Sequence, residues 1–220
     1  MAAVVELMNE AQEEKEAFVT MEWEYLPSSV QGFDIVKPIW LDVGGVCSRA
    51  DVSVTGRGDV FNLSTEVWKP GFSSQVLTVL SHLHDGGIHQ QLQIGGKTAC
   101  DSVARYGESA GFRSPAASHE HGEHGGSHGS PGGVAHISSM GACDNLGKVS
   151  VGDELGVTAF YNMSSHEPML GHDGERHPVM GIAILYAARP WGEAMKDILA
   201  DSGPDRTNRG PPPPPEHHHH

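Results

Sequence analysis

The sequence has 220 residues, with 14 Lys and Arg against 28 Asp and Glu, and a formal net charge of −14. An acidic chain without a basic run argues against nucleic acid and anionic membrane surfaces as partners, and no apolar run approaches the roughly 20 residues of a membrane-spanning helix. The hydrophobic share of 38% is held down by 28 glycines; it is still enough for one packed core, which argues against wholesale disorder and fits one domain or at most two small ones.

Residues 4–18 are charged and rich in good helix formers, with a sparse apolar stripe of Leu7, Ala11 and Phe18. An N-terminal helical extension is expected over 1–18. Glu6, Glu10, Glu13 and Glu14 crowd this start, so it does not read as a secretory leader. From Glu22 the pattern changes to short apolar runs broken by Gly, Pro, Asn and Asp. Strands are expected over 33–41, 60–63, 75–82, 88–94, 155–161 and 179–187, and together they indicate an all-β sandwich over 19–201. Ser114 to Gly133 interrupts this rhythm with His119, His121, His124 and His128 among Gly and Ser. It cannot bury a core and reads as a mobile loop inside the sandwich. Trp191 to Leu199 carries a last helical pattern, stopped by Ser202–Gly203–Pro204. The tail from Ser202 reads as disordered, and His217 to His220 after Glu216 read as an affinity tag. With an engineered end, a leader peptide is expected to have been removed at the other.

The strongest chemical signal is His82–Leu83–His84–Asp85–Gly86–Gly87. The preceding strand alternates Val76, Thr78, Leu80, His82, and side chains two apart share a face. His82 and His84 therefore project together from a strand end, with glycines for a tight turn just beyond. Imidazole pairs suit Cu, Zn, Fe or Ni; the competing reading is two polar residues at a strand end. Downstream, Val151–Gly152–Asp153–Glu154–Leu155 opens a strand through Asn162. A polar loop with His166, His172 and His177 follows, and Met180 opens the next strand. A lone Met there reads as core. Beside a His-x-His pair it becomes a soft thioether ligand that favours copper, Cu(I) in particular.

This order of motifs, from about Trp40 to Trp191 and including Tyr186, resembles the C-terminal domain of the copper type II, ascorbate-dependent monooxygenases, the family of peptidylglycine alpha-hydroxylating and dopamine beta-monooxygenases. The resemblance implies an antiparallel, jelly-roll-like β-sandwich in which one copper, Cu(I) or Cu(II), is held by two histidines and a methionine. On this chain those ligands would be His82, His84 and Met180, with His172, and beside it His166, as second-sphere or alternative ligands. Asp85 either orients a ligand imidazole or caps the turn. The family's preceding domain holds a second copper on three histidines, whereas no His-His pair lies upstream of His82. The resemblance therefore implies an external reductant, ascorbate or another. The His-x-His-Asp-Gly-Gly block is also similar to fungal and plant proteins with no assigned activity.

His119, His121, His124 and His128 form either an auxiliary metal-collecting loop or a solvated insertion, and His89 and His136 read as satisfied histidines on strand-like segments. Cys47, Cys100 and Cys143 include no Cys-x-x-Cys. A Cys100–Cys143 disulfide is expected to staple the base of the His/Gly loop, with Cys47 free or the alternative partner. The sequons at Asn62 and Asn162, with a disulfide, point to a secreted or cell-surface protein. Three functions follow: a copper oxidative enzyme acting on a small molecule or peptide; a non-catalytic copper protein for acquisition, buffering or delivery; and an interaction sandwich with incidental histidines. No Ser-His-Asp arrangement, nucleotide-binding glycine loop or paired carboxylates stand out.

Overall fold

The computed structural model describes residues 14, 16–27, 29–30, 32–45, 51–114, 133–171, 174–194 and 196. Eleven strands are formed among them: β1 (Asp34–Asp42), β2 (Val60–Ser64), β3 (Ser74–Leu83), β4 (Gly87–Ile94), β5 (Lys97–Tyr106), β6 (Arg113–Ser114), β7 (Val134–Ala135), β8 (Ile137–Met140), β9 (Cys143–Val149), β10 (Leu155–Asn162) and β11 (Gly181–Pro190). One sheet runs β1-β11-β3-β9, a second runs β2-β10-β4-β5-β8, and β6 pairs with β7 alone. Every pairing is antiparallel. The protein is the antiparallel all-β sandwich that the apolar runs and turn residues predict.

Two apolar clusters lie between the sheets. The larger joins Val76, Val79 and Leu185 of one sheet to Leu92 and Val157 of the other. The second gathers Leu63, Leu83, Ala159, Tyr161, Met163 and Val179 beneath the β3–β4 turn. Each fully buried aliphatic side chain here contributes about 1.5–3 kcal/mol relative to an exposed one. β10 shows the cause most plainly: in Leu-Gly-Val-Thr-Ala-Phe-Tyr-Asn, buried and half-buried positions alternate without a break.

Several expectations are corrected. The described part of the N-terminal extension is not helical: residues 16–18 have no regular structure and Phe18 is exposed. The rest of residues 1–13, together with residue 15, lies outside the described residues. At the other end, residues 191–194 and 196 are helical, and the tail from 197 is outside them. Residues 150–153 form a turn, closed by the Asp153 carboxylate accepting from the Ser150 amide at 2.8 Å, so the next strand starts only at Leu155. Cys100 and Cys143 are joined by a disulfide. It links β5 to β9, and therefore one sheet to the other, whereas the base of the His/Gly segment is closed by the two-residue β6–β7 ladder. Cys47 lies outside the described residues.

Candidate metal centre

β3 delivers His82 and His84 to one corner of the sandwich. Leu83 and Asp85 are buried, while His82 is exposed and His84 half-buried. The two imidazoles therefore face outward on either side of an inward leucine. Their rings are 5.4 Å apart at an interplanar angle of 86°. With metal–nitrogen bonds of about 2.0 Å, two imidazoles on one ion have centroids up to roughly 6 Å apart, so the pair fits a shared ion.

The turn beyond them needs its glycines. Gly86 has φ +89°, and a Cβ on Gly87 would lie 2.9 Å from the His84 carbonyl oxygen and from Leu83. Gly87 N–H donates to that carbonyl at 3.1 Å, and Asn162 N–H donates to the Gly86 carbonyl at 2.8 Å. The tip is held from a third side by Asp85. Its Oδ1 accepts from the Ile137 amide at 2.8 Å, and its Oδ2 lies 2.6 Å from His136 Nδ1. Asp85 thus turns one oxygen to the Ile137 amide and the other to the His136 imidazole, and the bond to His84 Nδ1 comes from another residue.

The orientation of His84 comes from elsewhere. Its Nδ1 is 2.9 Å from the Pro178 carbonyl. A carbonyl can only accept, so Nδ1 carries the proton and Nε2 keeps its lone pair for a metal. Met180 is two residues further on. β11 pairs with β3 through Gly181↔Leu83 and Ile182↔His82, so the same register continued by one residue brings Met180 opposite His84. Val179 is buried in the core, and a Cβ on Gly181 would point inward at Ala159 and Val43. Met180, between them, is half-buried. The Met180 carbonyl accepts from the Tyr161 hydroxyl. Tyr161 is fully buried and stacked on Phe61 at 5.0 Å, and burial pushes its phenol well above the ordinary range. Residues 178–180 are therefore gripped from both sides, by His84 and by Tyr161.

Among the described residues, no three His, Cys, Asp or Glu side chains converge on one point. Two imidazoles and one thioether make a donor set that suits copper, Cu(I) in particular. His166 is engaged differently. Its ring stacks on Tyr106 at 3.7 Å and 2°, and Tyr106 donates to the Gly87 carbonyl at 2.7 Å. Burial lowers the His166 pKa, opposed in part by the Asp85 charge. His172, His119, His121, His124 and His128 lie outside the described residues. His89 is a satisfied histidine, with Nδ1 2.6 Å from Asp101 and its ring stacked on Phe160 at 4.3 Å. An open groove of about 370 Å³ adjoins the corner, walled by Leu80 and His82 on β3 and by Ile137, Ser139 and Met140 on β8. Reading the sequence missed Tyr161, Pro178 and Tyr106. Two of their contacts end on backbone carbonyls, which carry no residue-specific signal; the third is a carbonyl itself.

No family model matches the chain, and no solved structure matches it. Two curated proteins are similar to it. One is named "Probable copper-dependent oxygenase M1", from Phoma sp. (strain ATCC 20986 / MF5453), 28% identical over 199 residues, which are 90% of this chain and 45% of that protein. The other is named "Probable copper-dependent oxygenase clz3", from Cochliobolus lunatus, 27% identical over 185 residues, which are 84% of this chain and 53% of that protein. The chain spans about half the length of these relatives.

Proposed function

We propose that this chain is a copper-binding, oxygenase-like β-sandwich whose single copper is held by His82, His84 and Met180. The observation that carries this reading is the tie from His84 Nδ1 to the Pro178 carbonyl, two residues before Met180, which leaves Nε2 presented beside His82. The similarity to two proteins named copper-dependent oxygenases supports copper and an oxidative reaction. Bound copper supplies one-electron redox chemistry toward dioxygen. The chain's own part is positioning. Tyr161 holds the Met180 backbone, and Asp85 holds the turn that carries His84. The groove beside His82 takes a small molecule or an exposed stretch of peptide. The electrons come from an external reductant such as ascorbate. The cross-sheet disulfide supports a secreted or cell-surface setting.

The test is copper stoichiometry and Cu(I) X-ray absorption on the tag-free chain. It compares the parent with His82→Ala, Met180→Leu and a deletion of residues 118–130. One copper with nitrogen and sulfur scatterers is expected. Met180→Leu should lose the sulfur, and either point variant should weaken Cu(I) binding by at least about 100-fold, since even removing an outer-sphere partner costs 10–100-fold. Copper that leaves with the deleted segment and ignores both point variants overturns the site. Oxygen consumption with ascorbate then separates an oxygenase from a copper carrier.

A further inference from the structure

We infer that Ser114, His136 and Asp85 form a second, metal-independent site: a nucleophilic serine that takes the acyl group of an ester. Ser114 Oγ is 2.6 Å from His136 Nε2, and His136 Nδ1 is 2.6 Å from Asp85 Oδ2. The other Asp85 oxygen accepts from the Ile137 amide at 2.8 Å. These are the contacts a charge-oriented serine requires. The carboxylate accepts a hydrogen bond from Nδ1–H, so Nε2 is left with its lone pair toward the serine hydroxyl and can take its proton.

The three residues come from separate elements, 22 and 51 positions apart. Ser114 ends β6, His136 joins β7 to β8, and Asp85 stands at the β3–β4 turn. Each is fixed by its backbone. Ser114 is paired with Val134 in the β6–β7 ladder. The His136 amide donates to the Phe112 carbonyl at 2.9 Å, and the His136 carbonyl accepts from Gly107 at 2.9 Å. Asp85 is 6% exposed, so the orienting carboxylate is shielded, whereas Ser114 and His136 are half-buried. Consecutive residues of one turn thus face different sites: His84 turns to Pro178, and Asp85 to His136.

In the reaction, Ser114 Oγ bonds to the ester carbonyl carbon while its proton passes to His136 Nε2. The bond from that carbon to the alkoxy oxygen breaks, and the alcohol leaves with the proton from His136. Water then attacks the acyl-serine, giving its proton to His136. The acid departs, and Ser114 regains its hydrogen. The sum is ester plus water to acid plus alcohol, with no redox partner.

The test uses the full chain stripped of metal with EDTA, as wild type, Ser114→Ala and His136→Gln, each checked for folding by near-ultraviolet circular dichroism. Ser114→Ala keeps the His136–Asp85–Ile137 connection, so its fold is expected to survive. A fluorophosphonate probe with peptide mass spectrometry should label Ser114 in the wild type and leave His136→Gln unlabelled. Hydrolysis of p-nitrophenyl acetate should fall at least about 100-fold in Ser114→Ala, the lower end of what a positioned general base contributes. The proposal is overturned by wild-type protein that stays unlabelled at Ser114 where a control serine hydrolase reacts. Equal hydrolysis by Ser114→Ala, or labelling of His136→Gln at the wild-type rate, overturns it too.

Discussion

A single carbonyl decides which nitrogen of His84 faces outward. The alternation of β3 is enough to assign His82 and His84 to one face, because strand side chains repeat every two residues. The Pro178 oxygen that sets the His84 tautomer is invisible to such a pattern, since every residue has a carbonyl. Asp85, the residue the sequence offers for that task, holds the turn instead. His166 makes the residue scale measurable. Burial holds its pKa below the ordinary 6.5, against an opposing pull from Asp85. The folded state therefore binds the proton less readily than the unfolded chain. The stability carried by the neutral His166–Tyr106 stack is complete above the unfolded value near pH 6.5. It is lost as pH falls through the lower folded value. His166→Phe keeps the ring and removes the titration. Between about pH 7.5 and about pH 5.5, the wild-type melting temperature should fall further than that of the variant; parallel falls would show that His166 does not contribute.

At the scale of elements, the strands seen in the sequence are those with apolar alternation. β5 escapes because its inward positions include Cys100 and Ser102, and the fully buried Ser102 accepts from Ser81 at 2.9 Å in place of an apolar contact. β9 escapes because Asp144, Asn145 and Gly147 read as turn residues. At the sheet edge they form a bulge, with positive φ at Asn145 and Gly147 and a register shift opposite Val76 and Thr78. The start of β11 is more tightly specified. A Cβ at Gly181 would lie 2.7 Å from the Ala159 Cβ and 2.9 Å from Val43. Gly181→Ala should therefore cost about 1–3 kcal/mol through overpacking, read by urea unfolding. On the proposed ligand set the strain falls next to a copper ligand, Met180, so copper affinity should fall with it. An alanine accepted at full stability would mean that the two sheets are looser here than the close approach implies.

For the whole molecule, the two sheets are held by their shared apolar layer and by one covalent link. The Cys100–Cys143 bridge closes a separation of 43 residues. Chain entropy alone assigns such a loop roughly 4 kcal/mol. Reduction, or the paired change of both cysteines to serine, should lower the unfolding free energy by about that amount. A change below about 1 kcal/mol would mean that the unfolded chain already keeps these segments together.

The amino-acid order by itself determined the β-sandwich class, the face shared by His82 and His84, and the glycine turn beyond them. Each depends on neighbours within a few residues, where periodicity and backbone sterics act directly. Only the tertiary structure decided that Pro178 orients His84 across 94 positions, that the disulfide spans the sheets, and that Ser114, His136 and Asp85 meet. Those contacts follow from the order in which strands cross between two sheets, and the spacing of residues along the chain carries no record of it.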